Sequence, residues 1–401
     1  MMEYYLWLLQ LMGAANPKSQ EIIQRYGSPK AVYDAVYSGD GKRFLSPSET
    51  KRLRGVSIEN SQRILDICEK EDIKIVTIFD REYPQSLINI YNPPFLLFYK
   101  GDISCLNNEI CISAVGTRDM TEYTMKVTKR TCSDLAKLGV TMISGMANGV
   151  DHTVHKAAVD AGGKTVGVLA CGMAVDYPRG SMAFREEMYR LGGACISELL
   201  PTERPSRAYF AARNRLISGL GTGVIVFQAG MKSGALITAN HAVNQGKDLF
   251  CIPPADLFSA NYCGVVGLLR DGAIPLFNYL DVVNYYFSDF TDKLDELNQK
   301  FKISYDKPFV FRESNTPKTG GSSADDARTS GERAAARFDF ESREPEIKII
   351  YDYLLENGTQ QLEEITDQCG ISPEDISLYL IDMEIEGLIE AKAGNNYCIK
   401  K

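Results

Sequence analysis

The 401-residue chain has one tryptophan, three histidines and no Cys-x-x-Cys pair among its ten cysteines. A zinc site of the usual His/Cys kind therefore has little to be built from. Cys111, Cys195 and Cys251 fall inside apolar segments, which reads as small core side chains in a reducing cytoplasm rather than as disulfides. No apolar run approaches the ~20 residues of a membrane-spanning helix, so no membrane partner is expected. Residues 1–9 lack a basic stretch and a small-residue cleavage site, and are expected to form a first helix rather than a secretion signal. Nor does a nucleophile–base pair stand out. Ser233 beside Gly234 has no histidine in triad-like order, and helix capping accounts for it better. His152 and His155 stand three apart, with no carboxylate spaced to complete a metal set with His241, and read as a satisfied polar pair. No catalytic residue, metal ligand or cofactor is assigned.

Basic excess is also missing from the whole, whose net charge is −8. Divided along the chain, however, residues 1–104 carry 13 Lys+Arg against 13 Asp+Glu, residues 105–285 carry 17 against 15, and residues 286–401 carry 14 against 24. All the excess acid lies in the last part. A local basic groove in the centre is compatible with an acidic whole.

What the chain does have is a central alternation. Apolar segments at 110–115, 140–143, 165–170, 194–197, 223–227 and 248–252 are short and rich in β-branched or small residues, as in strands buried on both faces of a parallel sheet. Helix-length amphipathic pieces, such as 122–138, 151–161 and 235–245, separate them. The pattern predicts an α/β fold, a Rossmann-like, doubly wound, mostly parallel sheet. Such sheets bind ligands beyond the carboxyl ends of their strands. The loops there are glycine-rich: Gly116-Thr117-Arg118 after the first strand, Gly145 to Gly149 after the second, and Gly230 to Gly234 with Lys232 and Ser233 after the fifth. Glycine lets an anion approach the backbone, helix starts offer amides, and Arg118 adds a planar guanidinium. Together the three loops predict an anion cradle. Asp151 is expected to cap the helix it opens.

Before the sheet domain (73–287), residues 1–72 read as five short helices broken by Gly13, Gly27, Gly39 and Gly55, a compact module of the sterile-alpha-motif or helix-hairpin-helix kind. Residues 73–102, with strand-like pieces and Pro84, Pro93 and Pro94, are expected to join the sheet's edge. Residues 288–344 form a linker, expected to be largely disordered from about 311, where Ser, Thr, Gly and mixed charge leave too little apolar surface to offset ordering entropy. Residues 345–401 read as helix, helix, turn, helix and hairpin, a winged helix. Its third helix carries Glu374, Asp375, Asp382, Glu384 and Glu386 and no Lys or Arg, which favours protein interaction over DNA reading.

The motifs SAVGTR (113–118), SGMANGVD (144–151), GVLACGMAVDYP (167–178), SELLP (197–201), AARNRLISGL (211–220), SGALIT (233–238) and GAIPL (272–276) together resemble the DNA processing protein A family, also called Smf. The resemblance implies a non-catalytic, homodimeric, cytoplasmic protein that coats incoming single-stranded DNA during natural transformation and loads the RecA recombinase onto it. Its DNA-contacting loops would fall on Gly116, Thr117 and Arg118, on Arg179, on Phe210, Arg213, Asn214 and Arg215, and on Ser233 and Gly234. Three places depart from the family pattern: Gln228 stands for a usual glutamate, Pro253-Pro254 for Pro-Gly, and 263–269 match a family stretch only loosely.

The residues by themselves allow the same reading. Single strands are held by cations on phosphates and aromatic groups on bases. Arg118, Arg179, Arg213 and Arg215 offer the first, Tyr177, Tyr209 and Phe210 the second. Other roles stand beside these: Phe210 as a helix anchor on the sheet, and Arg215 in a salt bridge to Glu198 or Asp176. The competing function is a nucleotide-binding sensor or hydrolase of the related lysine-decarboxylase-like group. Those proteins resemble a glycine loop followed by a catalytic glutamate, where this chain has Gln228.

Overall fold

The computed structural model describes residues 1–108, 110–286, 345–372, 376, 379–380, 383, 388–392 and 396–399. The chain falls into two compact units, Met1–Asp306 and Lys307–Lys401.

The first unit begins with five helices, α1 (Met2–Met12), α2 (Lys18–Tyr26), α3 (Pro29–Ser38), α4 (Pro47–Leu53) and α5 (Ile58–Lys70). Their starts follow from capping chemistry. Ser28 accepts from the Ala31 amide ahead of Pro29, Ser46 and Glu49 form a capping box, and Ser57 accepts from Asn60. In α1, Leu6, Trp7, Leu8, Leu9, Leu11 and Met12 are all buried, so the helix is apolar almost all round and sits at the centre of the group. Its side chains share one core with Leu96, Phe98, Met146 and Cys195 of the sheet layer.

Nine strands form one sheet: β1 (Lys74–Thr77), β2 (Leu96–Gly101), β3 (Cys111–Val115), β4 (Thr141–Ser144), β5 (Thr165–Val168), β6 (Ala194–Ser197), β7 (Gly223–Val226), β8 (Asp248–Cys251) and β9 (Ile274–Pro275). Their order is β1-β2-β6-β5-β4-β3-β7-β8-β9. Every pair from β6 to β9 is parallel, and β1 and β2 add antiparallel at the β6 edge. Six strands lie within two residues of the apolar segments, and residues 73–102 supply the edge. The ninth is not among the expected strands, because two residues ending in proline carry no strand pattern.

Helices cover both faces: α6 (Cys105–Asn108), α7 (Glu122–Lys137), α8 (Val150–Asp160), α9 (Ser181–Arg190), α10 (Arg207–Leu220), α11 (Gly234–Asn244), α12 (Cys263–Arg270) and α13 (Tyr279–Tyr285). Strand residues alternate between two cores. Val115, Ile143, Val224 and Val226 meet Leu216, Ile217, Ala235 and Ala239 on one face, while Ile112, Ala114, Met142 and Ile225 meet Leu135, Val150 and Val154 on the other. From β3 the chain winds outward through β4, β5 and β6, then returns to β7 on the opposite side of β3. The loops leaving β3 and β7 therefore diverge, and a crevice opens between them.

In the second unit, helices Pro345–Asn357 and Leu362–Cys369 pack with strands Gln360–Gln361, Ile389–Lys392 and Asn396–Ile399. The strands form an antiparallel sheet with Asn396–Ile399 in the middle, over a core that includes Ile350, Leu354, Ile365 and Leu380. The expected second helix starts two residues late, since Gln360 and Gln361 pair with the central strand. The expected linker 288–344, most of the acidic third helix and the turn at 394–395 lie outside the described residues.

Candidate nucleic-acid interface

A cleft of about 480 Å³ occupies the crevice between the loops after β3 and β7, within the size range of small-molecule sites. The three glycine-rich loops do converge on it. The first supplies Gly116, Thr117 and Arg118, the third Lys232, Ser233 and Gly234, and α10 adds Phe210, Arg213 and Asn214. The second loop contributes Ala147 and Asp151, and the loop after β8 brings Asn261.

The first loop is stapled from both sides. Its Thr117 amide donates to Gln228 O at 2.9 Å, and its Thr117 carbonyl accepts from the Val150 amide at 3.1 Å. The Gln228 side chain is buried, and its Oε1 accepts from the Thr121 amide at 3.0 Å. Gly149, at φ 81°, lies so close that a Cβ would come within 2.5 Å of the Thr117 and Arg118 carbonyl oxygens. Only glycine tolerates both the conformation and the approach. At Gly145 a Cβ would lie 2.5 Å from Arg213 Nη1. Gly149 thus lets two loops pack backbone on backbone, and Gly145 makes room for the Arg213 guanidinium and the Asp151 carboxylate.

Part of the rim backbone is already engaged within the fold. The amides of Thr117, Met146 and Ser233 already donate to Gln228 O, His155 Nε2 and Gly230 O, and that of Ala235 donates to the Ser233 hydroxyl capping α11. Side-chain cations stand beside them. Arg118 is exposed, with its guanidinium carbon 4.8 Å from the centre of the Phe210 ring. That cation–π contact orients the charge without neutralising it. Phe210 in turn meets Tyr177 edge-on at 5.7 Å. Lys232 is exposed on the opposite wall, and neither Arg118 nor Lys232 makes an ion pair among the described residues.

Two other arginines are bound up in the fold. Arg213 is 6% exposed, donates to Gly145 O at 2.6 Å and to Val168 O, and sits beside Asp151. Burial pushes its pKa down to about 10, against the pull of Asp151, so it stays charged at neutral pH. It lines the floor of the cleft. Arg215, 5% exposed, is not at the cleft: its Nη2 pairs with Glu198 Oε1 at 2.7 Å and its Nε donates to Asn92 O at 3.1 Å. The same Glu198 oxygen accepts from the Ala15 amide at 2.8 Å, and Asn92 Nδ2 donates to Ala15 O at 2.7 Å. Arg215 is therefore the centre of a clamp between α10, the sheet and the N-terminal helices, and of its two expected roles the ion pair with Glu198 is the one formed. Arg179 lies outside the main cleft too, on a neighbouring cavity.

Asp151 does not cap α8. Gly149 occupies the cap position with no side-chain bond, while the Asp151 carboxylate accepts, at 3.4 Å, from the Ala147 amide. Burial raises its pKa and Arg213 opposes the rise. Its place on the cleft lining escapes a sequence reading because an acid at a helix start fits capping equally well. Asn261 gave no signal in spacing. The histidines are not a pair: His155 is buried against Thr165 Oγ1 at 2.7 Å, with its pKa pushed down to about 3 by burial, while His152 is exposed against Phe184. Among the described residues no group of three or more His, Cys, Asp and Glu is placed to hold a metal ion, and no helix is long and apolar enough to cross a membrane.

Sheet and cleft together define a doubly wound α/β protein whose switch-point crevice presents side-chain cations beside an aromatic face. A family model described as DNA recombination-mediator protein A matches residues 74–287, and the chain belongs to that family. It is 35% identical over 247 residues to the DNA processing protein DprA of Bacillus subtilis (strain 168), covering 62% of this chain and 78% of that protein. With DNA processing protein DprA of Streptococcus pneumoniae it shares 36% identity over 197 residues, 49% of this chain and 68% of the other. The X-ray structure of DNA processing protein A from Streptococcus pneumoniae matches with a TM-score of 0.60 at 29% identity, over 71% of this chain and 98% of that one.

Proposed function

We propose that this protein binds single-stranded DNA along the carboxyl-end rim of its sheet and acts, without catalysis, as a recombination mediator in the cytoplasm during natural transformation. The observation that carries the reading is Arg118, held out over Phe210 at 4.8 Å by a loop stapled on both sides. A flexible polyanion needs cations for its phosphates and π-faces for its bases. Arg118 and Lys232 offer the first and Phe210 the second, with Gly116, Thr117, Asn214, Ser233 and Gly234 shaping the walls and Arg213 the floor. Family membership supports the wider role, in which the protein is a homodimer and delivers the strand to RecA.

In this reading the α1–α5 group is a docking module, residues 288–344 are a tether, and 345–401 are a winged helix used for protein contact. A nucleotide sensor or hydrolase is disfavoured by Gln228, whose carboxamide oxygen is taken up by Thr121. The test is gel retardation of oligo-dT tens of nucleotides long. Retardation that weakens as salt rises is expected; no retardation at low salt, or turnover of nucleoside monophosphates abolished by a change in the cleft, would overturn the reading.

A further inference from the structure

A second cavity, of about 180 Å³, adjoins the main cleft on the same rim, and Ala147 lines both. Its walls include Asn148, His152, Arg179 and Phe184. Resting on the single-strand reading above, we propose that this cavity is a second nucleotide subsite, in which a base of the same strand stacks on the His152 imidazole and the adjoining phosphate meets Arg179.

Three observations carry it. The first is continuity. Phe210, which lines the main cleft, meets Tyr177 at 5.7 Å, and the next residue, Pro178, lines the second cavity. The two cavities therefore adjoin through Phe210, Tyr177 and Pro178 as well as through Ala147.

The second is the ring pair. His152 is exposed, and its ring centroid lies 5.4 Å from that of the half-buried Phe184 at an interplanar angle of 53°. Phe184 packs into the core beneath, so it backs an imidazole that stays accessible. The histidine three residues on, His155, supplies the buried bonds to Thr165 and Met146. Among the described residues nothing uses His152 in that way.

The third is charge. Arg179 is exposed and makes no ion pair among the described residues. The acid nearest to it in sequence, Asp176, is committed to the turn into α9: its carboxylate accepts from the amides of Gly180 at 2.7 Å and Met182 at 3.3 Å and from the Ser181 hydroxyl at 3.3 Å. Those bonds occupy the helix start, which leaves the guanidinium to meet the phosphate. Cation and π-face side by side are what a single strand requires, and a free mononucleotide would not need the link through Ala147 to the first cleft.

Fluorescence anisotropy of the full chain with labelled oligo-dT of two lengths tests this, one of about 4 nucleotides to fill the first cleft and one of about 20 to span both. His152→Ala is expected to leave the short oligomer's affinity unchanged and to weaken the long one's about fivefold to a hundredfold, the range for one stacked base. His152→Phe should keep most of the affinity, since it keeps a stacking ring, and Arg179→Ala should again weaken only the long oligomer. Wild-type affinity for both lengths in His152→Ala would overturn the proposal, and so would equal weakening of both, which would place the effect at the first cleft. If the wild-type protein bound neither oligomer, the single-strand reading itself would fail and take this subsite with it.

Discussion

Arg118 and Arg215 have the same side chain, sit in the same compact unit and make opposite use of their charge. Arg118 has an aromatic face for a partner and remains exposed at the cleft mouth. Arg215 has a carboxylate for a partner, at 2.7 Å, and lies in the interior with its other donors on backbone carbonyls. A π-face orients a cation and leaves its donors free, whereas a buried carboxylate consumes them. The rim can receive an anion and the clamp cannot. The clamp instead fixes the N-terminal helices to the layer that carries the cleft.

The comparison can be broken by making the same substitution at both places. Arg215→Ala leaves Glu198 buried without its counter-charge and is expected to lower unfolding free energy by about 3–5 kcal/mol, read from urea denaturation. The folded fraction should still bind oligo-dT. Arg118→Ala should do the reverse. Losing a charge-assisted contact worth about 1.5–3 kcal/mol lowers oligo-dT affinity about tenfold to a hundredfold, with the denaturation midpoint within experimental spread of wild type.

A third substitution sharpens the contrast between interior and rim through pH. His155 is held neutral in the fold down to about 3, against 6.5 for the ordinary group. Between those values the unfolded chain binds a proton that the folded one does not, so stability rises with pH across the window, by at most about 1.4 kcal/mol per unit, and its contribution is flat above it. His155→Gln should flatten that part of the stability–pH curve, measured by thermal unfolding from pH 4 to 7. The smallest effect belongs to Lys232→Ala. A single exposed ammonium with no stacking partner should cost less than about 1 kcal/mol, and should make the slope of log affinity against log salt shallower by about 0.7, seen by anisotropy.

How much of this was legible in the residues depends on what kind of neighbour decides the outcome. The six central strands were readable because burial on both faces writes a continuous apolar run, and the first five helices because serine, proline and glycine mark their ends. The convergence of three loops followed from the rule that a doubly wound sheet opens at its switch point. The fate of individual side chains was not readable in the same way. Arg213 and Arg215 are two apart on α10, roughly 200° around the axis at 3.6 residues per turn. They leave the helix on different sides, one toward Gly145 and Val168, the other toward Glu198, and only the fold places those partners. That Gly149 packs against the Thr117 and Arg118 carbonyls, and Gly145 against the Arg213 and Asp151 side chains, is likewise visible only in three dimensions.

The central claim is that exposed cations on the stapled rim, Arg118 first among them, hold a single strand. Its most direct test is the oligo-dT affinity of wild type and Arg118→Glu measured across a salt series, with unfolding followed on the same samples. The account predicts a charge-reversed protein as stable as wild type whose binding is nearly lost at low salt and whose residual salt dependence is shallower. Wild-type affinity and wild-type slope in that variant would contradict it.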